Sequence, residues 1–222
     1  MLYDSDRHIY RAEPLARLEW LLHGFGARHT GDWIDPLRLT TLRQVHSSTV
    51  HLVDGQPGCA GEGDGLISAR PGCLLAVRTA DCLPVVLADQ RTRHVAIVHA
   101  GWRGIVGGIV PKTISRFVSD CSCAVEDLHA AIGPGIGACC FEVGPEVAAL
   151  FGALFPERQD LDRKTRLDLP EAVRRQLLAA GVPASRIYGG APCTCCTPSL
   201  FHSYRRDREQ AGRMISAVGV RP

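Results

Sequence analysis

Short runs rich in Val, Ile, Leu and Thr, bounded by Gly, Pro or Asp, recur along this chain far more often than helical stripes do, and that imbalance constrains the fold. Such runs read as strands at Leu18–Leu22, Thr41–Val45, Thr49–Val53, Leu74–Arg78, Pro84–Ala88, His94–His99, Leu128–Ile132, Arg186–Tyr188 and Arg213–Val218. Two helices stand out against them. Gly104–Val118 carries Ile105, Ile109, Ile114 and Phe117, and Leu169–Ala180 opens with Pro170 and stops at Gly181. A shorter helix is expected over Pro145–Leu150. Consecutive strands close enough for hairpins, with few helices between them, indicate α+β rather than strict βαβ alternation. No linker, repeat or low-complexity tract divides the 222 residues, so a single domain over 1–222 is expected.

Charge narrows the function classes. Lys and Arg total 25 against 23 Asp and Glu, and a net +2 is too small for a nucleic-acid footprint built on bulk charge. With 45% hydrophobic and 22% charged residues, the chain is excluded from the disordered class. The opening MLYDSDRHIYRAEP lacks a secretory layout, and no apolar stretch approaches the roughly 18 residues of a membrane span. A cytoplasmic protein is therefore expected. Of ten cysteines, only Cys193 and Cys196 have C-x-x-C spacing, with no second pair to complete a zinc ribbon. The thiols read mostly as reduced, buried small hydrophobes.

Three strand-to-loop junctions concentrate chemistry: Arg43-Gln44-Val45-His46, Thr79-Ala80-Asp81-Cys82-Leu83-Pro84 and His99-Ala100-Gly101-Trp102-Arg103-Gly104. His46, Cys82 and His99 each end a strand, where neighbouring side chains converge. Two imidazoles and a thiolate make a three-ligand zinc set with a fourth position open. Cys82 beside His99 equally makes a nucleophile–base pair, and the sequence leaves both readings standing. Arg103 and Gly104 open a helix after a strand, where backbone N–H groups favour an anion; tight strand–helix packing is the alternative. Ile132–Val143 is a glycine-rich turn, read either as a loop needing positive φ or as a backbone wall of the same pocket. Phe201–Asp207 offers Arg205 as a further cation.

These motifs in this order, RQVH, TADCLPVVLAD, HAGWRG, IGPGIGACCFEVG and SYRRD with GRM after it, resemble the YfiH-like proteins. That family was first named polyphenol oxidoreductase laccase and is related to the human protein FAMIN. The resemblance covers roughly residues 41 to 216. It implies a four-layer α/β/β/α fold with mixed sheets, shared with cytotoxic necrotizing factor and described as a cysteine hydrolase fold. It also implies a metal site, usually zinc, at His46, Cys82 and His99. The implied chemistry is phosphorolysis of adenosine, inosine and methylthioadenosine, together with adenosine deamination. Bacterial relatives are linked to editing of serine-containing muropeptide precursors. Three features depart from the family: the stretch between His23–Arg28 and RQVH is short, Val173 stands where relatives often carry Asn, and Gly135 stands where Cys is common.

On the resemblance, a zinc-dependent purine nucleoside enzyme would place phosphate against Arg103 and Gly104, with Arg43 or Arg205 as a second cation and Asp81 as general acid/base. The alternative is a cysteine hydrolase with Cys82 as nucleophile and His99 as base, acting on an amide of a muropeptide. Copper chemistry fits less well: no His-x-His pair occurs, and Met1 and Met214 are the only methionines available as an axial ligand. A non-catalytic scaffold with a closed four-ligand zinc is the remaining class.

Overall fold

A computed structural model describes residues 1–30 and 33–222. Two large mixed sheets carry the chain. The first has seven strands in the order Leu2–Asp4, Ile9–Arg11, Leu21–Gly26, Met214–Val220, Leu74–Thr79, Leu39–Arg43, Gly58–Glu62. The second has six, in the order Ile187–Tyr188, Leu128–Ile132, Leu83–Asp89, Val95–Ala100, Gly65–Ser68, Val50–Leu52. Each combines antiparallel hairpin-type pairs with parallel ones, such as Leu39–Arg43 beside Leu74–Thr79 and Val50–Leu52 beside Gly65–Ser68. The fold is thus mixed α+β.

The middle strands of the second sheet, Leu83–Asp89 and Val95–Ala100, are buried at every position, so both faces must be covered. Alternation assigns the faces. Val86, Ala88, Val95 and Ile97 meet Phe25, Leu75, Val77 and Val218 of the first sheet in one core. Val85, Leu87, Ala96 and Val98 face the helices in the other, against Ile109, Phe117, Ala172 and Leu177. Each fully buried large side chain there contributes about 1.5–3 kcal/mol.

The expected helix over 104–118 forms as two, Trp102–Val106 and Ile109–Cys121. Gly107 and Gly108 break it, and Gly108 sits at φ 74°, a conformation open to glycine without penalty. Leu169–Ala179 matches expectation; the Asp168 side chain caps it by accepting from the Glu171 N–H at 2.9 Å. The helix expected over 145–150 is Pro145–Ala148 followed by a 3₁₀ turn at Ala149–Phe151. The strand expected at Leu18–Leu22 lies instead at Leu21–Gly26, because the strand's inward face is set by Leu21, His23 and Phe25 rather than by the preceding leucine.

The fourth layer requires correction. On the outer face of the first sheet, Leu39, Leu74, Ala76 and Ala217 are covered by Trp33 and Ile34, and no helical side chain joins that cluster among the described residues. The Trp33 ring lies over Gly24, where a Cβ would come within 2.8 Å of it. Where a four-layer fold places a helix, this chain uses Trp33 and Ile34.

Candidate functional site

The register of the second sheet brings the site together. His99 pairs with Pro84, which puts Cys82 just beyond the neighbouring strand end. On its other side the His99 N–H donates to the Asp64 carbonyl at 2.7 Å. His46 arrives from the first sheet, three residues beyond Leu39–Arg43. One nitrogen of each imidazole and Cys82 Sγ lie within 4.8 Å of one another. The two imidazole rings stand edge to face, 4.8 Å between centroids.

Asp64, which sequence reasoning missed, organises this triad. Fully buried, it accepts from His99 Nδ1 at 2.7 Å, from the His46 N–H at 3.1 Å, and from Ser47 N–H and Oγ at 2.6 and 2.7 Å. Fixing Nδ1 leaves His99 Nε2 to face the site. The signal was an Asp between two glycines, Gly63 and Gly65, directly before the apolar Leu66-Ile67. Gly101 completes the cradle: a Cβ there would sit 2.9 Å from both Cys82 Sγ and His46 Nδ1.

Electrostatics follow the same contacts. Burial disfavours the imidazolium of His99, but Asp64 and Cys82 outweigh it and raise the group to about 9. Burial likewise pushes the Cys82 thiol up, and the His46 and His99 rings bring it down to about 7. Asp64 is held at about 2, since the hydrogen bonds from His99 and Ser47 overcome its desolvation.

The triad opens into a cavity of about 600 Å³ walled by Trp102, Ile136, Phe141 and Tyr204. Five arginines line it: Arg78, Arg103, Arg205, Arg208 and Arg213. Among the described residues, Asp81 is the only carboxylate in that lining. His46, Asp81 and Arg208 hold φ of 58°, 85° and 52°, so three of the cavity's side chains rest on positive-φ backbone that the surrounding contacts must enforce.

The sequence-derived candidates divide. Arg103 lines the cavity with its guanidinium 4.4 Å over the Trp102 ring. Arg205 also lines it, while its Nη1 donates to the Glu142 carbonyl at 2.8 Å. Arg43 does not reach it. Strand alternation turns Arg43 away from the side of Leu42 and Gln44, and it pairs with Glu62 in solvent. Gly104 is buried outside the lining, its Cβ position 3.1 Å from the Ser47 carbonyl, so close packing explains this glycine.

Asp81 is committed elsewhere too. Its carboxylate accepts from Thr194 Oγ1 at 2.6 Å, Ser203 Oγ at 3.0 Å and the Arg205 N–H at 2.6 Å. These three contacts tie the 194–205 segment to Asp81. The glycines of the 132–143 turn do not take positive φ. They are there for close approach: a Cβ at Gly133 would lie 2.3 Å from the Phe25 ring, and one at Gly135 would lie 2.3 Å from Leu83. The wall reading of this turn fits, since Ile136 and Phe141 face the cavity. The thiols are not all buried hydrophobes, either: Cys59, Cys139 and Cys196 are exposed.

Residues 29–221 match the family described as multi-copper polyphenol oxidoreductase laccase. The chain belongs to that family. A relative of this laccase-family chain, purine nucleoside phosphorylase YlmD of Geobacillus stearothermophilus, is 43% identical over 211 residues, covering 87% of this chain and 77% of its own. The solved structure of YlmD superposes with a TM-score of 0.84 at 30% identity over 92% of this chain and 93% of that one. The crystal structure of Bacillus licheniformis YfiH gives 0.83 at 29% identity, covering 91% and 94%. An adenosine deaminase from an unknown prokaryotic organism is 36% identical over 195 residues, 81% of this chain and 74% of its own. Among the described residues, no helix of this laccase-family chain is long and apolar enough to cross a membrane.

Proposed function

We propose that this protein is a metal-dependent, cytoplasmic purine nucleoside enzyme that cleaves adenosine, inosine and methylthioadenosine with phosphate and also deaminates adenosine. The observation that carries the reading is the convergence of two imidazoles and a thiol in the lining of a cavity that arginines also line. The names of the relatives point the same way.

The donor set suits zinc. Two imidazole nitrogens and one thiolate with an open fourth position form a catalytic-type set, and Asp64 holds the His99 tautomer as a metal-bound imidazole needs. Met214, the one internal methionine, is buried between the sheets, which argues against a thioether axial ligand for copper. Bound at His46, Cys82 and His99, zinc would supply Lewis acidity toward a substrate or water oxygen.

The chain's own residues would do the rest. Arg103, with Arg78, Arg208 and Arg213 around it, holds phosphate in bidentate contacts and neutralises it during attack. A phosphate oxygen forms the new bond to C1′ as the C1′–N9 bond breaks, and the purine leaves with a ring nitrogen protonated by the attacking dihydrogen phosphate or by solvent water. Trp102, Phe141 and Tyr204 offer aromatic faces for the base, and the cavity has the size of ordinary small-molecule sites. Asp81 positions Arg205 through its backbone N–H.

Product analysis on adenosine tests this. Zinc-loaded protein should form adenine only with phosphate and inosine without it, and Cys82→Ala should lose both. No turnover by folded, metal-loaded protein would overturn the reading. The rival, a cysteine hydrolase with Cys82 as nucleophile and His99 as base on a muropeptide amide, draws on the thiol's fall to about 7. It requires activity that survives chelation and dies on alkylation.

A further inference from the structure

A second group of metal-type ligands lies outside the cavity. Cys139 and Cys140, adjacent in the chain, meet Cys193 and Cys196 from a segment more than fifty residues on, and the four Sγ atoms lie within 4.8 Å of one another. Cys196 Sγ is 3.4 Å from Cys139 Sγ and 3.2 Å from Cys140 Sγ. One sulfur shared almost equally between two others is the pattern of ligands around a common centre, not of paired half-cystines, and all four thiols are free. A zinc–thiolate bond of about 2.3 Å sets tetrahedral sulfur–sulfur edges near 3.8 Å, inside the range these atoms span.

The backbone is shaped for the cluster. The chain turns tightly at 137–140, with the Cys140 and Phe141 N–H groups both donating to the Gly137 carbonyl at 3.0 Å, which lets two consecutive cysteines reach one point. The Gly137 N–H donates to Cys193 Sγ at 3.2 Å, a contact that stabilises a thiolate. A Cβ at Gly137 would lie 3.2 Å from Cys193 Cβ and 3.4 Å from Cys139 Sγ, so glycine permits the two segments to close on each other.

We propose that Cys139, Cys140, Cys193 and Cys196 bind one divalent ion of the zinc class as a closed tetrathiolate, separate from the His46, Cys82 and His99 donors. Four protein ligands leave no open position, so the role is structural. The ion clamps the 133–143 turn, which supplies Ile136 and Phe141 to the cavity, onto the segment that supplies Thr194, Ser203 and Arg205 to Asp81. The single C-x-x-C carries no ribbon signal in the sequence because its partner pair is C-C, a spacing that no ribbon pattern contains. Binding releases thiol protons and adds folding free energy.

Cobalt substitution counts the thiolates, because the near-ultraviolet sulfur-to-cobalt charge transfer grows with each one bound. Protein is prepared reduced and without oxygen, stripped of metal and titrated with Co²⁺. The His46→Ala/His99→Ala chain should still take up one Co²⁺ with a four-thiolate spectrum, and its four clustered cysteines should resist alkylation while loaded. Cys139→Ser/Cys196→Ser should lose that spectrum and melt lower. Wild-type protein provides the check if either variant fails to fold: its charge-transfer intensity should exceed that of the single Cys82 thiolate several-fold. Uptake of Co²⁺ with no more than one thiolate per chain, or alkylation of all four cysteines in metal-loaded protein, overturns the proposal. Neither result depends on nucleoside turnover.

Discussion

His99 Nδ1 donates to Asp64 Oδ1 at 2.7 Å, and the same carboxylate gathers the backbone N–H of His46. One buried acid therefore orients the His99 ring and anchors the backbone that carries His46, although the two residues come from different sheets. Asp64→Asn keeps the shape but loses the charge that makes His99 a strong donor. Zinc affinity at His46, Cys82 and His99 is expected to fall about 10–100-fold, as for other carboxylates behind metal-bound histidines. Competition with a chromogenic chelator measures it; unchanged affinity would remove Asp64 from the site.

Arg103 and Arg43 look alike in sequence, each next to a candidate ligand, but only Arg103 faces the cavity. Arg103→Ala should raise the KM for phosphate about 10–100-fold, the loss expected for a charge-assisted contact of about 1.5–3 kcal/mol. Arg43→Ala should leave phosphate KM alone, since its exposed pair with Glu62 has little energetic weight. Steady-state kinetics with varied phosphate separates the two. Equal effects would mean the arginine rim binds something other than phosphate.

How far the sequence carried can be judged at single residues. Strands with strong apolar runs were legible to within a residue or two: Leu128–Ile132 as expected, and Val95–Ala100 against 94–99. Missed strands are those without that signal, such as Gly58–Glu62, which is mostly exposed and carries two glycines, and Gly65–Ser68, too short to show a period. His46, Cys82 and His99 could be named because each lies at or close to the end of a legible strand. Arg78, Arg208 and Arg213 could not, because nothing local to an exposed arginine says which way its strand or turn will aim it. The tetracysteine cluster depends on two loops meeting, a long-range contact that spacing does not encode.

The latch at Asp81 makes a sharper claim than a general acid would. Thr194 and Ser203 are fully buried, so Asp81→Ala strands two hydroxyls and the Arg205 N–H, at about 1–3 kcal/mol for each unpaired group. The unfolding midpoint should drop, and kcat/KM should fall through loss of Arg205 placement. A double variant with Arg205→Ala should then cost little more activity than either alone, since both act on the same wall. A shift of the acid limb of the pH–rate profile in Asp81→Asn, with stability intact, would instead restore the acid/base role.

His23 supplies a pH dependence away from the metal ligands. It is 2% exposed in the strand Leu21–Gly26, its Nε2 accepts the Ala12 N–H at 3.1 Å, and burial with Arg11 nearby lowers it to about 4. The native state therefore keeps the ring neutral, while the unfolded chain takes up a proton below about 6.5. Where the unfolded state binds more protons, stability rises with pH, so this contribution is complete above about 6.5 and fades as pH falls toward 4. Between pH 7 and pH 5 it removes about 2 kcal/mol from the unfolding free energy. Denaturant unfolding of zinc-loaded protein at the two values should show that loss, and His23→Gln should flatten the slope by the same amount while lowering stability overall. A slope unchanged in His23→Gln would mean that the ring is protonated in the native state and that the Ala12 contact is not what holds it.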